Sequence, residues 1–147
     1  MADRLSPERR SALMKMVPTR NTTPELAVRR ILSKLGYRYR LHRRDLPGTP
    51  DLVLASRRKV IFVNGCFWHS HPNCSKGRPP KSRSDYWVPK LKANQDRDTR
   101  NILTLQSFGW EVLVVWQCET KDAVSLGTKL ETFVAETHTA TVRGKLR

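Results

Sequence analysis

Residues 65–74, which read GCFWHSHPNC, constrain the fold of this chain more than any other segment, because they concentrate candidate metal ligands beside two large aromatic residues. The candidate ligands are Cys66, His69, His71 and Cys74. A structural zinc site takes four cysteine or histidine ligands, so a distant residue must complete the set if this loop supplies three. Cys118 follows an apolar run that can pair beside the strand entering the loop, although its spacing is equally consistent with a buried thiol. The sequence leaves His69 and His71 as alternatives for the histidine ligand.

The charge balance points to a polyanionic partner. The chain has 147 residues, with 28 lysines and arginines against 13 aspartates and glutamates, a formal net charge of +15 and a pI near 10.6. Such an excess on one domain is typical of nucleic-acid binding. No apolar run is long enough to span a bilayer, and MADRLSPERR lacks the apolar core of a secretory signal. We therefore expect an intracellular monomer without a membrane partner, in which three cysteines do not form a disulfide framework.

The periodicity of apolar residues predicts one α/β domain with a mixed sheet of about four strands flanked by helices. The run at 59–63 is apolar almost throughout, which predicts a central strand. The longest predicted helix carries Pro89 in its first turn, where a missing N–H is harmless. The predicted elements are helices at 5–17 and 22–35, strands at 37–42, 51–55 and 59–63, a helix at 86–108, a strand at 110–116 and a helix at 121–136.

Three side chains are candidates for hydrolytic chemistry. Asp51 follows Pro50 at the start of a strand, where a carboxylate can hold a divalent cation against a phosphate or, alternatively, cap the turn. Glu25 can support the same site, but Thr22-x-x-Glu25 also reads as a capping box. His69 can deprotonate an attacking water, unless it is a zinc ligand or an exposed loop residue.

Three aromatic residues lie close to basic loops: Phe67, Trp68 and Trp87. Aromatic side chains in basic surroundings stack on nucleic-acid bases, and apolar wedges can part a base step. The alternative is that these residues belong to the hydrophobic core.

A resemblance to a known family covers residues 14–118. It rests on five motifs in order, which read NTTPELAVRRIL, LPGTPDLVL, VIFVNGCFWHSHPNC, YWVPKLKANQDRD and GWEVLVVWQC. Together they resemble the very short patch repair (Vsr) mismatch endonucleases of the restriction-endonuclease-like superfamily. The resemblance implies an enzyme that nicks DNA on the 5′ side of the T in a T:G mismatch, with magnesium in catalysis and zinc in the fold.

The resemblance also implies roles for individual residues. Asp51 is the magnesium carboxylate with the backbone carbonyl of Val63, His69 is the catalytic histidine, and Glu25 supports the site. The implied zinc ligands are Cys66, His71, Cys74 and Cys118. The implied DNA contacts are Phe67, Trp68 and Trp87 from the major groove, Met14 from the minor groove, and Lys90 and Asn94.

The implied organisation is a DNA-contacting helix and linker at 1–20, an endonuclease domain at 21–137 and a basic tail at 138–147. The implied partners are mismatched double-stranded DNA and mismatch-repair proteins, in a bacterial cytoplasm and at the nucleoid.

One position departs from the family pattern. Asn64 stands where many members of the family carry a second histidine. An amide can hydrogen-bond a phosphate but cannot donate a proton usefully near neutral pH. We therefore expect Asn64 to be a site residue in a slower enzyme, or in one that depends on a metal-bound water. The rival functions are a restriction-like nuclease that cuts matched DNA and a zinc-containing DNA-binding module without catalysis.

Overall fold

The computed structural model describes residues 20–136. The predicted helix at 5–17, Met14 and the predicted tail at 138–147 lie outside the described residues. The described helices and strands follow the predicted order. They are α1 (Thr23–Lys34), β1 (Arg40–Leu41), β2 (Leu52–Leu54), β3 (Lys59–Asn64), α2 (Ser84–Ser107), β4 (Glu111–Trp116) and α3 (Ala123–Ala135).

The four strands form one mixed sheet in the order β1-β2-β3-β4. β1 and β3 run antiparallel to β2, whereas β3 and β4 are parallel. A parallel pair needs a crossover connection, and α2 provides it. β3 pairs on both sides, and its Val60 and Ile61 are fully buried. The predicted central strand and the predicted mixed sheet are thereby confirmed.

Helices cover both faces of the sheet. Adjacent strand residues point to opposite faces, so Val60 and Ile61 belong to two different clusters. The Ile61 cluster contains Val28 and Leu32 of α1 and Leu126, Leu130 and Val134 of α3. The Val60 cluster contains Val53, Leu105 and Trp110, at the end of α2. The sheet therefore has α1 and α3 on one side and α2 on the other.

The first strand is shorter than predicted, covering 40–41 rather than 37–42. The N–H of Tyr37 donates to the carbonyl of Leu32 at 3.1 Å, and Gly36 adopts a φ of 89°. This is the geometry by which a glycine ends a helix and satisfies its last carbonyls. The beginning of the predicted strand thus serves as the end of α1.

The longest helix begins before its predicted start. α2 starts at Ser84 instead of residue 86, so Pro89 lies inside the helix and not in its first turn. That prediction was wrong because the helix begins two residues before the predicted residue 86. No helix within residues 20–136 is both long and apolar enough to cross a membrane.

A buried lysine fixes the end of α3. Lys59 is 1% exposed and its Nζ donates to the carbonyl of Glu136 at 2.8 Å and to that of Phe133. The carboxylate of Glu111 lies 3.4 Å from the same Nζ. A cation at the C-terminal end of a helix is favourable because the last carbonyls carry partial negative charge.

Candidate functional site

Three side chains of the loop after β3 and one from the segment after β4 converge where these two strands end. The ligand atoms of Cys66, His71, Cys74 and Cys118 all lie within 4.8 Å of one another. Two ligand bonds to a tetrahedral zinc place their donor atoms about 3.7 Å apart. The Nδ1 of His71 is already 3.5 Å from the sulfur of Cys118. This group of four can therefore hold a metal ion, and His71 rather than His69 belongs to it.

Close backbone packing shapes the loop that carries these ligands. The N–H of His71 donates to the carbonyl of Cys66 at 2.9 Å, and its ring stacks on Trp116 with centroids 4.2 Å apart. Gly77 lies directly against His71, because a Cβ at residue 77 would be 2.3 Å from the His71 carbonyl oxygen. The glycine is thus required for the position of the histidine.

The cysteines of this cluster differ in acidity. Burial raises the pKa of the Cys66 thiol to about 11. The backbone N–H of Lys76 lowers the pKa of Cys74. A metal binds cysteine as the thiolate, so binding must release the proton of Cys66.

A second cluster lies in a neighbouring cleft of about 930 Å³. It consists of Glu25, His42 and Asp51, whose ligand atoms again lie within 4.8 Å of one another. Asp51 Oδ2 accepts a hydrogen bond from the N–H of Val63 at 2.7 Å. Burial raises the pKa of Asp51 from 3.8 to about 6, and the nearby charge of Glu25 contributes in the same direction. Asp51 directly precedes the start of β2, and its side chain lines the cleft.

Glu25 takes part both in the cap of α1 and in the cluster within the cleft, the two roles considered for it. Its N–H donates to the hydroxyl of Thr22 at 3.3 Å, as in a helix cap. Its carboxylate accepts from the N–H of Asn21, not Thr22, so the reciprocal half of the capping box is displaced by one residue. The same carboxylate is 1% exposed and lies 2.9 Å from Nε2 of His42. The helix start thus positions a buried carboxylate in the cleft.

Sequence reasoning missed His42. Its N–H donates to the carbonyl of Asp51 at 3.1 Å, which continues the β1–β2 pairing by one residue. The signal was present in the alternation of apolar and basic residues that ends at His42. Pairing that segment with the strand after Asp51 would have placed the two side by side.

His69 lies apart from the metal ligands and contacts a carboxylate that sequence reasoning also missed. Its Nδ1 donates to Oδ2 of Asp98 in α2 at 2.6 Å. Both side chains are half-buried, and both line the cleft with Asp51. A base whose second nitrogen is held by a carboxylate is the arrangement of a general base in hydrolytic enzymes.

Basic and amide side chains form a large part of the remaining lining of the cleft. It includes Arg20, Arg44, Lys90, Arg97, Asn64 and Asn94. Asn64, the last residue of β3, is 8% exposed. Asn94 donates from its Nδ2 to the carbonyl of Trp68 at 3.1 Å. Positive charges and amide donors suit a phosphate backbone.

The three predicted aromatic contacts form one cluster. Phe67 lies 5.0 Å from Trp68 and 5.2 Å from Trp87, measured between ring centroids and in edge-on orientations. Phe67 and Trp68 are half-buried, whereas Trp87 is 4% exposed. Trp87 thus lies beneath the other two rings and supports them.

Comparison with known proteins identifies relatives of this chain. A family model described as DNA mismatch endonuclease Vsr matches residues 2–76. The Type II nicking enzyme V.XorIIP of Xanthomonas oryzae pv. oryzae is 58% identical over 130 residues, which cover 88% of this chain and 95% of that protein. The DNA mismatch endonuclease Vsr of Escherichia coli (strain K12) is 41% identical over 118 residues, which cover 80% of this chain and 75% of that protein.

A solved structure shares the fold. The catalytic domain of the homing endonuclease I-Bth0305I matches with a TM-score of 0.54 and 23% sequence identity, covering 77% of this chain and 94% of that one. This match supports the restriction-endonuclease-like architecture expected from the sequence.

Proposed function

Because this chain belongs to the Vsr family of DNA mismatch endonucleases, we propose that it nicks one strand of duplex DNA on the 5′ side of the T in a T:G mismatch. The observation that carries the proposal is that Trp68 and His69, adjacent in the chain, line the same cleft as Asp51. A ring that can part a base step and groups that can hydrolyse a phosphodiester therefore lie side by side. Cleavage next to a distorted base pair needs this combination.

His69 is the general base of the proposed reaction. Asp98 holds Nδ1 of the ring, so Nε2 remains to take a proton from the attacking water. The carboxylate also stabilises the imidazolium that forms. The role of Asp98 is to position and support His69.

Asp51 and Glu25 hold the divalent cation, for which we propose magnesium. Carboxylate oxygens are the ligands of hard divalent cations, and the buried Glu25 and the half-buried Asp51 bring theirs within 4.8 Å of each other. The raised pKa of Asp51 also fits, because a nearby cation would relieve the cost of its buried charge. The backbone carbonyl of Val63 is the proposed additional oxygen. When bound, the cation supplies Lewis-acid polarisation of the phosphate and neutralises charge on the leaving oxygen.

Zinc is the proposed metal of the other cluster. Three cysteines and one histidine form a closed structural site for that ion, with ligands Cys66, His71, Cys74 and Cys118. Cys66 precedes Phe67 directly, so a metal held there fixes the start of the aromatic segment. Ordering the loop before DNA binds reduces the entropy lost on binding.

Phe67 and Trp68 form the proposed wedge at the major-groove side of the mismatch. A T:G wobble pair costs less to unstack than a matched pair, so insertion favours mismatched DNA. Trp87 is buried beneath both rings, and we propose that it sets the height of the wedge. Met14, from outside the described residues, is the proposed wedge on the minor-groove side.

Asn64, Lys90 and Asn94 complete the proposed DNA contacts. Lys90 neutralises a phosphate, and Asn64 hydrogen-bonds to one. Asn94 holds the carbonyl of Trp68 and thereby orients the wedge. In this scheme Asn64 protonates no leaving oxygen, which predicts slow turnover.

Nicking of a T:G heteroduplex beside the matched homoduplex, with magnesium present, tests the proposed function. We expect one strand of the heteroduplex to be cut and the homoduplex to stay intact. Cutting of both strands in both duplexes would identify a restriction-like nuclease instead. Tight binding without cutting would identify a mismatch-binding protein that lacks catalysis.

A further inference from the structure

The cation cluster in the cleft contains a nitrogen donor as well as its two carboxylates. The ligand atoms of Glu25, His42 and Asp51 lie within 4.8 Å of one another. The side chain of His42 is only 6% exposed, and that of Glu25 is 2% exposed. The ligand atoms of His42 and Glu25 therefore lie where water has little access, and the half-buried Asp51 adjoins them.

The ring nitrogen that faces the carboxylates lacks a hydrogen-bond partner. Among residues 20–136, Nε2 of His42 is the buried side-chain nitrogen or oxygen for which no hydrogen bond is made. Glu25 Oε2 is 2.9 Å away, but the two atoms do not meet in hydrogen-bond geometry. A buried polar atom without a partner costs about 1–3 kcal/mol. A cation between the ring and the carboxylates would satisfy all three groups.

The surrounding charges do not replace such a cation. Arg29 reaches Glu25 at 3.4 Å from the exposed side of α1. Asp51 is occupied on one oxygen by the N–H of Val63. Neither contact involves Nε2 of His42, so the nitrogen stays directed into the cluster.

We propose that His42 is a nitrogen ligand of the cation held by Asp51 and Glu25, and that this site binds Mn²⁺ in preference to Mg²⁺. Mn²⁺ takes carboxylate oxygens as Mg²⁺ does, but as a transition-metal ion it also accepts an imidazole nitrogen, whereas Mg²⁺ prefers oxygen ligands and retains several waters. The inference rests on the proposed function only in assigning this cation to the nicking reaction. The ligand set itself is a property of the protein without DNA.

Metal binding to the zinc-loaded protein without DNA is the test. The probe is MnCl₂, titrated by electron paramagnetic resonance and displaced with MgCl₂. We expect the wild type to bind Mn²⁺ at least about tenfold more tightly than Mg²⁺, and His42→Gln to lose about tenfold of its Mn²⁺ affinity with little change for Mg²⁺. Asp45→Asn is the matched control, because that exposed carboxylate pairs with Arg43 and does not line the cleft. Equal Mn²⁺ affinity of His42→Gln and wild type would overturn the proposal.

A spectroscopic readout keeps the proposal testable if His42→Gln does not fold. Electron spin-echo spectra of bound Mn²⁺ contain modulation from a coordinated imidazole. We expect that modulation in wild type and in the double variant His69→Gln, His138→Gln, since His71, the other remaining histidine, is held by zinc in the proposed scheme. Its absence from the double variant would contradict ligation by His42.

The same protein separates this inference from the proposed function. Wild type loaded with Mn²⁺ is assayed on the T:G heteroduplex. Imidazole ligation without any nicking would support the ligand assignment and contradict the endonuclease. Nicking without imidazole ligation would support the endonuclease and contradict the ligand assignment.

Discussion

Nδ1 of His69 lies 2.6 Å from Oδ2 of Asp98, and this contact joins the loop after β3 to the middle of α2. Asp98→Asn keeps the size of the side chain but removes the carboxylate that orients the base. We expect nicking to fall about tenfold to a hundredfold while DNA affinity changes little, because a general base contributes about 10²–10⁴-fold and Asp98→Asn weakens the base without removing it. Single-turnover nicking and a binding titration measure the two effects.

Asp96→Asn provides the matched control for this change. Asp96 lies on the same helix, is exposed and pairs with Lys92 at 3.0 Å. It loses the same charge without touching His69. If Asp96→Asn and Asp98→Asn reduce nicking equally, the effect is one of net charge and the assigned dyad is wrong.

We expect the charge of Asp51 to lower the free energy of unfolding and yet to be required for nicking. Its pKa of about 6 lies above the ordinary 3.8, so the folded protein binds this proton more tightly than the unfolded chain. The stabilising contribution is therefore complete below pH 3.8 and is lost as the pH rises to about 6. At pH 7 Asp51→Asn removes a buried charge, and we expect it to be more stable by about 2 kcal/mol and to lose nicking.

Thermal melts at several pH values, without added divalent cation, check this prediction. The Tm advantage of Asp51→Asn should grow between pH 4 and pH 6, the interval set by the two pKa values, and then level off. Asp45→Asn serves as control, because its exposed carboxylate has a pKa lowered by Arg43 and should give no such gain. If Asp51→Asn were less stable than wild type at pH 7, the claim that the charge of Asp51 destabilises the fold would be wrong.

Gly77 is expected to be essential for the metal loop. A methyl group there would collide with the backbone of His71, so Gly77→Ala must displace a ligand. We expect the variant to lose bound zinc on dialysis and to melt at a lower temperature, since metal binding contributes to folding. Elemental analysis together with a thermal melt measures both.

Gly127→Ala is the control for Gly77→Ala. Gly127 lies within α3, and a Cβ there meets nothing within 4 Å. Alanine is the better helix former, so this variant should retain its zinc and gain up to about 1 kcal/mol. Full zinc content in Gly77→Ala would show that the loop tolerates the methyl group.

The wedge is expected to govern selectivity more than affinity. Trp68→Ala removes a stacking surface worth about 1–3 kcal/mol per base, while the +15 net charge still attracts the DNA backbone. We therefore expect a loss of about tenfold in the preference for T:G over matched duplex. Phe108→Ala, which removes a ring that is 64% exposed outside the site, is the control. Equal losses of affinity for both duplexes would refute the wedge.

Local sequence patterns predicted most of the fold. β3 and β4 are strands of six residues whose interior residues are apolar, and their parallel pairing brings the metal loop beside the end of β4. The alternation around β1 predicted a strand but not its length, because a helix cap after Gly36 takes up the first residues. A sequence pattern predicts the bounds of a helix or strand correctly where its residues belong to that element alone.

The site was predictable in part. Asp51, His69 and the Cys66 loop stand out because their neighbours in sequence mark strand ends or ligand spacing. His42 and Asp98 did not, since each meets its partner through tertiary packing. The pairing of β1 with β2 brings His42 beside Asp51, and the packing of α2 across the cleft brings Asp98 to His69. The burial of Trp87 likewise depends on that packing.

The most direct test of the central claim is single-turnover nicking of a T:G heteroduplex with each strand labelled in turn, with Asp51→Asn as the check for contaminating nucleases. We expect one product, from a cut immediately 5′ of the mismatched T, in the wild type alone. Cleavage of the G-containing strand, or equal cleavage of the matched duplex, would contradict the account.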